Sequence, residues 1–164
     1  MNNPTVPDVV CFGEVLWDIL PEGPLPGGAP MNVAYHLKKL GLNPALISRV
    51  GTDEWGDKLL AVLRDHGIPV NNIQLDKQFP TGIVYAKPNE NNEVVYDIVH
   101  PSAWDFISWD ESFISLMEQS AYFVFGSLSS RKETSRATLH QLIRHSNKRV
   151  LDINIRPQIG RAHV

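Results

Sequence analysis

An alternation of two kinds of apolar segment narrows the fold more than any other feature of the sequence. Asp8-Val9-Val10-Cys11-Phe12-Gly13 is a short run of β-formers bounded by polar residues, the pattern of a strand buried on both faces. Residues 30–40 instead place Val33, Leu37 and Leu40 on one helical face, with Lys38 and Lys39 near the end and Gly41 as a cap. Residues 45–50 return to a strand pattern. Gly51-Thr52-Asp53-Glu54 then opens a second helix, whose Leu59, Leu60, Val62 and Leu63 form a buried stripe running to Gly67. Strand, helix, strand, helix in that order implies a parallel sheet with helices packed on its faces.

The alternation then breaks. Residues 81–87 and 93–99 are strand-like runs around Pro88-Asn89-Glu90-Asn91-Asn92, a β-hairpin with a polar tip that does not suit the main sheet. Beyond it the rhythm resumes with a helix ending near Gln119, a buried strand at 121–126, and a helix over 133–146 that brings Ala137, Leu142 and Ile143 to the core. A last strand covers 149–154. Residues 21–26 read as a turn-rich loop, because their prolines oppose strand and helix alike. At 164 residues the chain is long enough for one domain with a core of its own.

Chemistry concentrates where the first helix begins. In Pro26-Gly27-Gly28-Ala29-Pro30-Met31-Asn32 two glycines let the backbone turn and let a ligand approach it, and the following helix offers its first N–H groups at the same spot. The Asn32 amide donates and accepts, which suits a ligand rich in hydroxyls. Asp18 is a carboxylate in an otherwise apolar extended segment. It has to be solvated, paired or bonded to a ligand, since burial without a partner is costly. In the hairpin, alternation turns Tyr85 and one of Tyr96 or Asp97 toward a ligand or into ordinary packing. Asp152, Asn154 and Arg156 alternate along the last strand and so share a face that ends at its carboxyl edge, where open α/β sheets bind ligands; Gly126-Ser127 would form a wall there.

Other classes of function find little support. A net charge of −3 provides no basic field for nucleic acid, and no apolar stretch reaches membrane-spanning length. The single cysteine, Cys11, forms no intrachain disulfide and no zinc cluster, and the six histidines show no ligand-like pairing. Walker A, Gly-x-Gly-x-x-Gly after the first strand and a nucleophile elbow are all missing. Without a secretory leader at Met1-Asn2-Asn3-Pro4, a cytoplasmic protein is expected.

The spacing of Gly27-Gly28, Asn32, Ala34, Gly41 and Gly51 resembles the N-terminal signature of the ribokinase, or PfkB, family of carbohydrate kinases. Gly13-Glu14 with Asp18, Gly51-Thr52-Asp53-Glu54-Trp55-Gly56 and Asp152-Ile153-Asn154-Ile155-Arg156 extend the likeness, which is nearest to the fructokinase branch. The resemblance implies a ribokinase-like α/β fold and phosphorylation of a sugar hydroxyl by ATP with magnesium. Asp18 would then accept bonds from sugar hydroxyls, with Gly27, Gly28, Asn32 and Asp97 beside them, while Arg156 and Asn154 lie by the substrate and the phosphates. It also implies a β-lid, about residues 14–26 and 81–100, that closes over the sugar and can mediate dimerisation.

In that family the base is an aspartate of a later Gly-Ala-Gly-Asp segment, which this sequence does not contain. The expectation is therefore of an N-terminal portion, 1–164, that carries the sugar-binding half without a catalytic residue and ends in residues 158–164 unlike the family. The alternative is an inactive sugar-binding or interaction fragment.

Overall fold

The computed structural model describes residues 6–88 and 94–153. Among the described residues nine strands form two sheets. The main sheet contains β1 (Val9–Phe12), β4 (Pro44–Gly51), β5 (Ile73–Asp76), β8 (Tyr122–Gly126) and β9 (Lys148–Asp152), all parallel and ordered β5-β4-β1-β8-β9. A separate sheet contains β2 (Leu16–Leu20), β3 (Gly23–Gly27), β6 (Gly82–Pro88) and β7 (Val94–Ile98), ordered β3-β2-β6-β7. The expected hairpin is β6 and β7, antiparallel from Val84↔Ile98 to Pro88↔Val94, and the Asp18 strand β2 lies parallel to β6.

The period of two along β1 explains why both faces of the main sheet are covered. Val9 and Cys11 point into a core shared with Met31 and Ala34 of α1 (Ala29–Lys39) and with Leu59, Leu60 and Leu63 of α2 (Glu54–Asp65). Val10 and Phe12 point the other way, into a core built with Trp104, Phe113 and Met117 of α3 (Ser112–Gln119) and Leu142 of α4 (Glu133–His145). Cys11 is fully buried, and burial pushes its thiol up to about 12.

Several expectations needed correction. Residues 23–27, expected as loop, form β3. It is an edge strand paired only with β2, so Pro24 and Pro26, two residues apart, can turn their missing donors away from the partner. In α1 the expected Val33 and Leu37 pack half-buried against the core, but Pro30, Met31 and Ala34 are buried more deeply and Leu40, the C-cap, is 78% exposed. In α4 Ala137 is exposed, and Ser135 and Thr138 are buried with Leu139 and Leu142. Their hydroxyls bond to carbonyls of Trp104 and Ile107, satisfying the short 3-10 turn Ala103–Phe106. Strand β5 went unrecognised because its four residues, Ile-Gln-Leu-Asp, are too few to show a period.

Hydrogen bonds tie the small sheet to the core. Asp53 caps α2 by accepting from the Gly56 N–H, and it also accepts from the N–H and hydroxyl of Thr81, next to β6, at 2.8 Å each. On β2 the Trp17 indole donates to the Trp55 carbonyl at 3.0 Å, with the two rings 5.4 Å apart.

Candidate active site

The chain leaves β1 toward β4 on one side of the sheet and later toward β8 on the other, so the strand order reverses at β1. Beyond the carboxyl end of a strand at such a switch point the flanking connections diverge and leave a crevice. Gly13 and Glu14 stand at that end of β1. The crevice is a cleft of about 440 Å³ whose polar lining includes Glu14, Asp18, Gly28 and Asn32. Its apolar lining includes Leu16, Val84 and Ile98 from the small sheet and Leu128 from the main body.

Local geometry explains the two glycines. Gly28 is the N-cap of α1 with φ 111°, where an added Cβ would meet the Glu14 carbonyl. A Cβ on Gly27 would run into Oδ2 of Asp18, so the absence of a side chain lets that carboxylate lie against β3. The first turn of α1 offers fewer amides than its position suggests. The Ala29 N–H already donates to Glu14 Oε1 at 3.2 Å, and Pro30 has no N–H. Side chains rather than amides therefore supply most of the polar floor.

Glu14 is the least comfortable group in the cleft. It is 3% exposed, and its second oxygen, Oε2, is buried without a hydrogen-bond partner among the described residues. Burial pushes its carboxyl up to about 7. Its own backbone N–H, that of Ala29 and the Arg131 charge pull the other way, and the nearby Asp152 charge adds to the rise. Arg131 is itself held by a bidentate pair with the fully buried Asp105, at 2.6 and 2.8 Å, and lies 4.0 Å from the Trp104 ring centre.

Asp18, Gly28 and Asn32 thus line one cleft, with Gly27 against Asp18. Asn32 is exposed on the rim of α1. Of the hairpin candidates, Tyr96 lines this cleft, whereas Asp97 and its register partner Tyr85 belong to the opposite face of the small sheet. Asp97 lines an adjoining hollow with His100, Arg131 and Lys132 that shares Tyr96 and Ile98 with the first. Asn154 and Arg156 lie outside the described residues. Asp152 ends β9, where its carbonyl accepts from the Ser127 N–H. Sequence reasoning passed over Glu14 as a site residue, although the argument applied to Asp18, an acid in an apolar run, would have found it.

A cleft lined by acids and an amide at the switch point of a parallel sheet, with a second small sheet along one side, is the architecture of a small-molecule-binding α/β protein. The chain belongs to the pfkB family of carbohydrate kinases, whose model matches residues 24–163. It is 33% identical over 141 residues to fructokinase-1 of Zea mays, a match that takes in 78% of this chain and 44% of that protein. The structure of Halothermothrix orenii fructokinase superposes with a TM-score of 0.82 at 27% identity, covering 93% of this chain and 59% of that one. An uncharacterized sugar kinase from Pyrococcus horikoshii, solved in complex with ATP, gives 0.81 at 26% identity over 94% of this chain and 56% of its own. The chain spans about half the length of the relatives it matches.

Among the described residues no group of three acidic, histidine or cysteine side chains could hold a metal ion, and no helix is long and apolar enough to cross a membrane.

Proposed function

We propose that this chain carries the sugar-binding part of a fructokinase-like, ATP-dependent carbohydrate kinase, and that its cleft holds a ketose such as fructose. The observation that supports this most is the meeting of Asp18, Gly28 and Asn32 in one cleft beside the small sheet. Asp18 accepts bonds from two hydroxyls, and Asn32 both donates and accepts. Leu16, Val84 and Ile98 cover the apolar face of the sugar. The small sheet closes as a lid and shuts out water, which competes with the sugar hydroxyl for the phosphoryl group. The family resemblance assigns Arg156 to the sugar and Asn154 to the phosphates of ATP, whereas Asp97, on the other face of the small sheet, is left out of this reading.

The transfer itself needs a base for the hydroxyl proton and donors for the moving phosphoryl group. The family's base belongs to a Gly-Ala-Gly-Asp segment, and the sequence has none. We therefore assign the chain binding without turnover. Purified protein given fructose and ATP-magnesium releases ADP at the blank rate while binding fructose in a manner lost in Asp18→Ala. ADP release that depends on Asp18 and Asn32 would refute the assignment, and fructose binding unchanged by Asp18→Ala would refute the site.

A further inference from the structure

Glu14 is a buried acid whose place in the cleft is not explained by holding the helix. One oxygen, Oε1, accepts from the Ala29 N–H and so serves the N-terminus of α1. The other, Oε2, has no partner among the described residues, and the residue lines the same cleft as Asp18 and Asn32. A buried polar atom without a partner forfeits the bonds it had in water, and a ligand group that reaches it restores them.

We propose that Glu14 is a third ligand-contacting group of this cleft: Oε2, carrying a proton, donates a hydrogen bond to an oxygen of the bound polyol, so that sugar binding and protonation of Glu14 are linked. This rests on the reading of the cleft as a sugar site. Asp18 and Glu14 then divide the work. Asp18 accepts from hydroxyls and the protonated Glu14 donates, which together fix the direction of the sugar's hydrogen bonds.

The electrostatic surroundings suit a carboxyl that keeps its proton near neutral pH. Burial opposes its ionisation, and Asp152 at the end of β9 adds to that. Arg131, the nearby cation, favours ionisation but is already paired with Asp105. Asp18 comes from β2 and Tyr96 from β7, while α1 contributes the uncharged Asn32 to the lining.

Fructose binding by the full chain, measured calorimetrically at pH 6 and pH 8, tests the linkage. With Glu14 titrating near 7, affinity in the wild type falls about tenfold over that interval. Glu14→Gln offers an N–H donor at every pH, so its affinity is flat across the interval and exceeds the wild type at pH 8. A wild-type slope in Glu14→Gln would overturn the inference. A direct readout that needs no variant is carbon NMR titration of the Glu14 carboxyl with and without fructose, in which the sugar moves its midpoint upward. An unmoved midpoint, while the signals of Asp18 and Asn32 respond to fructose, overturns the inference and leaves the sugar site standing. No response from any of the three overturns both.

Discussion

At the scale of single residues, Gly28 and Glu14 constrain one another. Gly28→Ala would force a Cβ against the Glu14 carbonyl at φ 111°, and equilibrium urea unfolding is expected to show a loss of about 1–3 kcal/mol. Glu14 itself makes stability depend on pH. Its folded carboxyl binds a proton more tightly than the unfolded chain, about 7 against 4.5, so its contribution to stability falls as pH rises between those values and stays low above them. The cost of charging it in place is about 3 kcal/mol. Unfolding at pH 5 and pH 8 should therefore show Glu14→Gln gaining on the wild type at the higher pH by up to that amount; an equal gap at both values would remove the buried-acid account. Asp18 was readable from the sequence because its neighbours are apolar. Gly27 and Gly28 were readable as a close approach, but what they approach is visible only once β2 and β3 pair.

At the scale of elements, the connections around the cleft are braced by polar groups more than by length. Arg131 holds Asp105, which is fully buried and, with Ser102, closes the ends of the 3-10 turn behind β7. Removing the arginine leaves that carboxylate uncompensated, and Arg131→Ala is expected to cost about 3–5 kcal/mol in chemical unfolding. Asp53 has two tasks, capping α2 and anchoring Thr81 at the start of β6. Asp53→Ala is expected to lose about 1–2 kcal/mol and to raise amide exchange in β6 as well as in the first turn of α2; exchange changes confined to α2 would show that the anchor is idle.

The elements themselves were largely legible, since the short apolar runs of β1, β4 and β8 and the 3.6 period of α2 are strong. β3 was not, because whether a proline-containing segment can be a strand depends on having a free edge, a property of the sheet rather than of the segment. The centre of the buried face of α1 has a similar origin. Val33 and Leu37 flank the contact half-buried, and its centre is taken by Met31 and Ala34.

At the scale of the molecule, the separation into a parallel sheet and a small mixed sheet creates the cleft. The hairpin was legible as foreign to the α/β rhythm, and its alliance with β2 followed from the resemblance rather than from any period in the residues. The switch point at β1 could not be read locally, because it depends on which side of β1 each later strand occupies. On the far side of the sheet β9 is an edge strand with all five residues exposed, including Val150 and Leu151.

The central claim is that Asp18 and Asn32 share a cleft that grips a polyol. The most direct measurement is a fructose titration of the nitrogen-15-labelled protein followed by amide NMR. The account predicts saturable shifts clustered at residues 14–18, 27–32 and 84–98 that vanish in Asp18→Ala. Saturable shifts centred elsewhere, or shifts that persist unchanged in Asp18→Ala, would contradict it.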